Sequence, residues 1–123
     1  MVTACDIRLA SKEAFFCIQE INIGMAADVG TLQRLPKIIP DSKMREMAYT
    51  GRRMYADEAK ESGLISDMYE TQEEMLEGAN KLAKEIASKS PVAIYGLKAV
   101  MNYSRDHSVS DGLEYNALWS GAM

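Results

Sequence analysis

Glu20-Ile21-Asn22-Ile23-Gly24-Met25-Ala26-Ala27-Asp28-Val29-Gly30-Thr31-Leu32-Gln33-Arg34-Leu35-Pro36 sets two carboxylates eight residues apart in an apolar setting. Phe15, Phe16, Ile18 and Ile21 lie on the Glu20 side, and Met25, Ala26, Ala27 and Val29 surround Asp28. Burial among such side chains disfavours a charged carboxylate and moves its proton exchange toward neutrality, which suits acid/base work. The same residues also fit a plainer reading. An Asp before Val-Gly-Thr-Leu suits a helix N-cap, and a Glu closing a strand suits a solvated edge.

The surrounding chain narrows the choice of class. Its 123 residues, 47% hydrophobic and 26% charged, have the makeup of one globular domain with a modest core. A net charge of -4, with 14 Lys and Arg residues scattered except for Arg52-Arg53, argues against nucleic acid as a general partner. No apolar run approaches the roughly 20 residues that span a bilayer, and Val2-Thr3-Ala4-Cys5-Asp6 does not read as a signal core, so no membrane or targeting segment is expected. Cys5 and Cys17 stand twelve apart without a nearby histidine, so buried reduced thiols are expected, and neither a metal nor a disulfide scaffold. Nine methionines suit the filling of an irregular core.

Outward from the carboxylates, the N-terminal flank reads as strand. Residues 2–9 and 13–19 are rich in β-branched, aromatic and Cys residues, and Ser11-Lys12 between them suits a brief turn. On the other side, Val29, Leu32, Leu35 and Ile38 or Ile39 recur with a helical period that Pro36 bends or ends. Asp41 or Ser42 can cap a helix that carries Met44, Met47 and Ala48 and stops before Gly51. Ala56 to Ser62 forms another, Gly63 ends it, and Leu64-Ile65-Ser66 is expected as a short strand.

The C-terminal half is helical by its own punctuation. Thr71-Gln72-Glu73-Glu74 is a capping box ahead of a helix with Met75, Leu76, Ala79, Leu82, Ala83 and Ile86 on one stripe. Ser90-Pro91 starts the next, with Ile94, Leu97 and Met101 expected inward. A last helix from about Ser108 carries Leu113, Tyr115, Leu118 and Trp119, and its apolar end calls for a partner or a continuation. His107 reads as a structural or capping residue, Arg52-Arg53 as solvated or ion-paired rather than bound to phosphates, and Tyr115 and Trp119 as packing residues.

Several ordered segments together carry a resemblance. They are Ala4-Cys5-Asp6-Ile7-Arg8, Ala14-Phe15-Phe16, Glu20-Ile21-Asn22-Ile23-Gly24, Gly30 to Pro36, Thr50-Gly51-Arg52, Ala56-Asp57-Glu58-Ala59 and Gly63-Leu64-Ile65. In that order they are similar to the enoyl-CoA hydratase/isomerase (crotonase) superfamily over nearly the whole chain. Ala26 to Pro36 and Tyr103-Ser104-Arg105-Asp106-His107-Ser108 look specifically like the Δ3,5-Δ2,4-dienoyl-CoA isomerase branch. Glu20 falls where the superfamily keeps a catalytic glutamate. Asp28 falls where its hydratases have glycine and where the dienoyl isomerases have a second proton-transferring group.

The resemblance implies an α/β fold. The chain would be the C-terminal part of a crotonase (ClpP-like) spiral domain, mostly helical with two or three short N-terminal strands. Residues 1–66 would end the core with catalytic Glu20 and Asp28, and residues 67–123 would be a truncated helical oligomerisation region. The implied reaction is the shift of a 3,5-dienoyl-CoA to a 2,4-dienoyl-CoA in fatty-acid β-oxidation, with coenzyme A as part of the substrate and no cofactor. The implied partners are an acyl-CoA and other copies of the chain in a homo-oligomer, trimer or hexamer, in a mitochondrion or peroxisome. Enoyl-CoA hydratase, Δ3-Δ2-enoyl-CoA isomerase and a non-catalytic assembly fragment are the alternatives. The family's glycine-rich oxyanion segments and a further aspartate would lie upstream of Met1, so the isolated chain is expected to be inactive and poorly stable.

Overall fold

The computed structural model describes residues 1–122. They form two compact units, one of Met1–Ala79 and one from Asn80 onward. The first opens with a 3-10 turn at Val2–Ala4, then strands β1 (Leu9–Ser11) and β2 (Phe15–Phe16), and a second 3-10 turn at Glu20–Ile23. Helix α1 (Thr31–Arg34) runs into a 3-10 turn at Leu35–Lys37, where Pro36 tightens the chain as its missing N–H requires. Helix α2 (Asp41–Thr50), strand β3 (Met54–Tyr55), helix α3 (Ala56–Glu61) and strand β4 (Asp67–Tyr69) complete it, and α4 (Gln72–Ala87) begins within it. The second unit holds the rest of α4 with α5 (Pro91–Ser104) and α6 (Val109–Gly121).

The strands differ from expectation in length and in partner. Residues 2–8 are a 3-10 turn and loop, so of the first expected strand only Leu9 enters β1, and β2 keeps only two residues of 13–19. The two do not pair with each other across Ser11-Lys12. Strand β1 runs parallel to β4 in the register Leu9 with Asp67 and Ser11 with Tyr69, while β2 is antiparallel to β3, with Phe15 opposite Tyr55. The strand expected at residues 64–66 forms at β4 instead, because Leu64 and Ile65, each 2% exposed, are drawn into the core.

Packing explains this arrangement. Met47, Met54 and Leu64 are the largest fully buried side chains, and Ala56 and Ala59 of α3 lie fully buried with them. An alanine face lets α3 come close to β3 and β4, so methionine and leucine fill the remaining space. Gly51, at φ 63°, ends α2 and returns its N–H to the Met47 carbonyl at 2.9 Å, as expected of a left-handed C-terminal residue.

Beyond Asn80 the apolar side chains are less enclosed than their periodicity suggested. In α5, Ile94 is half-buried, but Leu97 and Met101 are exposed rather than inward. The α4 stripe likewise has Met75, Ala79, Leu82 and Ile86 half-buried and Leu76 and Ala83 exposed. Helices α5 and α6 meet through glycines. A Cβ on Gly96 would fall inside the Trp119 indole, and one on Gly112 would lie 2.6 Å from Ser104 Oγ. Tyr103 stacks between His107 and Tyr115 at ring separations of 3.7 and 4.3 Å, and Trp119 lies against Tyr95 at 5.5 Å, so Tyr115 and Trp119 pack between α5 and α6.

Candidate active site

Glu20 opens the second 3-10 turn rather than ending a strand. Its carbonyl accepts from the N–H of Met25 at 3.0 Å, and Gly24, at φ 74°, closes the turn. The left-handed conformation there requires glycine and reverses the chain toward Asp28. Between them Ala27 is 7% exposed and anchors the loop to the core.

Asp28 is not a helix cap. The residue at the start of α1 is Gly30, at φ 87°, with no side-chain cap. Arg34 folds back over Gly30 so closely that a Cβ there would collide with its guanidinium, and Arg34 Nη1 donates to the Val29 carbonyl at 3.1 Å. The backbone on either side of Asp28 is therefore held, by Ala27 from within and by Arg34 from outside.

Both carboxylates sit on this one loop, and among the described residues neither has a side-chain hydrogen bond or an ion pair. Glu20 is half-buried and Asp28 exposed, so the apolar flanks do not enclose the acids as expected. Of those flanks, Ile18, Ile21, Met25, Ala26 and Ala27 line an adjacent cavity of about 550 Å³ instead. Ile18, Ile21 and Met25 form one wall, Met44 and Ala48 of α2 the other, and Arg45 and Tyr49 also face it. The α2 contribution was missed from sequence, although Met44 and Ala48, one turn apart, carried the signal of a shared face.

The turn is also tied from behind. Cys17 Sγ donates to the Gly51 carbonyl at 3.0 Å, and a Cβ on Gly51 would lie 2.8 Å from Asn22 Nδ2 and 3.0 Å from Ile21 Cγ2. The end of α2 thus abuts the turn that begins at Glu20. Cys17 is half-buried and Cys5 exposed, so neither is the fully buried thiol expected.

Arg52 sits within an ion network. It donates to Glu46 through Nε at 2.8 Å and to both oxygens of Glu58, which Lys43 approaches at 3.1 Å. Hydrogen bonds from Arg52 hold the Glu58 carboxyl down at about 2. Arg53 lies 4.2 Å above the Phe15 ring. Both arginines are engaged within the chain, Arg52 with carboxylates and Arg53 over an aromatic ring. Among the described residues there is no cluster of His, Cys, Asp and Glu able to hold a metal, and no helix long and apolar enough to cross a membrane.

The chain belongs to the enoyl-CoA hydratase/isomerase family, whose pattern it matches over residues 1–119. It has the crotonase fold of that family. An enoyl-CoA hydratase from Bacillus anthracis superposes on 97% of the chain and 46% of its own length, with a TM-score of 0.91 at 31% identity. Within the family, the chain is 53% identical over its whole length to the human mitochondrial Δ3,5-Δ2,4-dienoyl-CoA isomerase, covering 38% of that protein. It is 46% identical to the peroxisomal enzyme of the same name from Arabidopsis thaliana, covering 44% of it. The chain thus spans less than half the length of these relatives.

Proposed function

We propose that this chain carries the carboxylate loop of a Δ3,5-Δ2,4-dienoyl-CoA isomerase acting in fatty-acid β-oxidation. The observation that carries the reading is Asp28 on the same anchored loop as Glu20, at an identity of 53% to an isomerase of that name. Moving a 3,5-diene to the 2,4 position takes a proton from C2 and delivers one to C6, four carbons away. One carboxylate cannot readily reach both positions. Two acids on a single loop can act at opposite ends of the diene, one as base and one as acid, and the total proton count is unchanged. Charge that develops on the thioester oxygen needs backbone N–H donors.

The compartment follows the relatives' names, mitochondrial or peroxisomal. The exposed apolar side chains Leu113 and Leu118 of α6 and Tyr95 of α5 favour assembly with other copies of the chain.

The test compares Glu20→Gln with Asp28→Asn in the protein at the full length of its isomerase relatives. Both should lower turnover of a 3,5-dienoyl-CoA, by about a hundredfold or more if each acid transfers a proton. Retained isomerisation in Asp28→Asn, or hydration of a 2-enoyl-CoA that depends on Glu20 alone, would move the assignment to a hydratase. The 123-residue chain by itself should turn over the diene at least about a hundredfold more slowly than the longer protein, given the weight of an oxyanion donor.

A further inference from the structure

Arg34 is the last residue of α1, and helical side chains lean toward the N-terminal end of their own helix. A long side chain placed there reaches back to the residues that precede α1. Arg34 bonds to two of them in succession. Its guanidinium donates to the Val29 carbonyl at 3.1 Å, and its backbone N–H donates to the Gly30 carbonyl, also at 3.1 Å. Gly30 makes both bonds possible. At φ 87° it turns the chain into α1 and, having no Cβ, leaves the surface on which the guanidinium lies.

Asp28 depends on such a hold more than Glu20 does. The Glu20 turn is closed by Gly24 and abutted by the end of α2. Asp28 is exposed and, among the described residues, has no side-chain partner, so backbone alone sets its place. Ala27, 7% exposed, fixes the chain before it, and the two carbonyls that Arg34 holds fix the chain after it. Leu35, 3% exposed, seats Arg34 itself against the core. Proton transfer depends steeply on distance, and a misplacement of about 1 Å can cost about a hundredfold.

We propose that Arg34 is a positioning residue for the proton transfer: by holding the Val29 and Gly30 carbonyls it fixes where the Asp28 carboxylate stands. The inference rests on the reading of Asp28 as a proton-transferring acid given above. Arg34→Ala releases the Val29 carbonyl and leaves the surface of Gly30 uncovered. Arg34→Lys keeps a charge and a donor but not the flat guanidinium that spans Gly30.

The experiment is a double-mutant cycle of Arg34→Ala with Asp28→Asn, in the protein at the full length of its isomerase relatives, following turnover of a 3,5-dienoyl-CoA. Arg34→Ala should lower kcat at least about tenfold and leave KM within about twofold, because a displaced acid slows the transfer without loosening the bound substrate. In the Asp28→Asn background the same change should alter the residual kcat by less than about twofold, since a residue that acts through Asp28 then has nothing left to position. Arg34→Lys carries the same cycle, with a smaller loss expected, if the alanine variant does not fold. Losses that add in the double variant, or an unchanged kcat in both Arg34 variants, overturn the inference while leaving Asp28 in its role. Full turnover in Asp28→Asn alone overturns the reading of Asp28 itself, and this inference falls with it.

Discussion

Arg52 meets Glu58 through two parallel hydrogen bonds, Nη1 to Oε2 and Nη2 to Oε1, each 2.8 Å long. The planar fork matches the carboxylate, and Nε of the same guanidinium reaches Glu46, so one side chain ties α2 to α3. With both partners about 30% exposed, the pair is worth about 1–2 kcal/mol, more than a solvated surface bridge.

Acid should reveal this pair. Glu58 is held at about 2 against an ordinary 4.5, so its contribution is complete above pH 4.5 and lost as pH falls toward 2. Glu58→Gln should lower stability at pH 7 and flatten its decline between those limits. Urea unfolding at pH 7, 4 and 3 measures it, and a decline as steep as the parent's would refute the assignment.

Gly51→Ala should disturb the carboxylate loop from outside it. At φ 63° an alanine is strained, and its Cβ would press on Asn22 and Ile21. We expect a loss of about 1–3 kcal/mol together with reduced turnover, since the pressed segment begins at Glu20. Calorimetry with a parallel rate assay tests the coupling. Lower stability with unaltered turnover at a temperature where the variant is folded would show that the loop does not feel α2.

Gly96→Ala should loosen α5 from α6. Its Cβ would occupy the Trp119 indole position, and overpacking of this kind costs about 1–3 kcal/mol. Trp119 is the sole tryptophan, so its emission reports the change directly. An unshifted emission maximum would argue against the close contact.

Ser108→Ala should fray the start of α6. Ser108 Oγ accepts from the Asp111 N–H at 3.1 Å while the Asp111 carboxylate accepts from the Ser108 N–H at 3.2 Å. Hydrogen bonds from Ser108 also hold the Asp111 carboxyl below its ordinary value, so this stabilisation exists above that value and fades as acid protonates it. The expected result is lower helicity at pH 7 and a smaller difference from the parent near pH 2, read by circular dichroism.

Elements with local punctuation were legible in the sequence, and those made by distant pairing were not. Ser90-Pro91, Ser108 and Gly51 mark α5, α6 and the end of α2 because caps act within one turn. The two-residue β2 and β3 exist only because Phe15 and Phe16 find Tyr55 and Met54, which nothing near Phe15 announces. At the site, the motif around Glu20 and Asp28 was readable residue by residue. Their exposure was not, because the apolar neighbours face α2, a helix that periodicity alone cannot dock.

The parallel pairing of Leu9–Ser11 with Asp67–Tyr69 also has a temporal side. On the ribosome, β1 emerges long before β4, the strand it pairs with, has been made. At about 5–20 residues per second the wait is roughly 3–12 s, during which its amides are unprotected. The β1–β4 pairing of the N-terminal unit therefore forms late. Nascent chains arrested before residue 67 should be digested rapidly near β1, and those extended beyond α4 should resist.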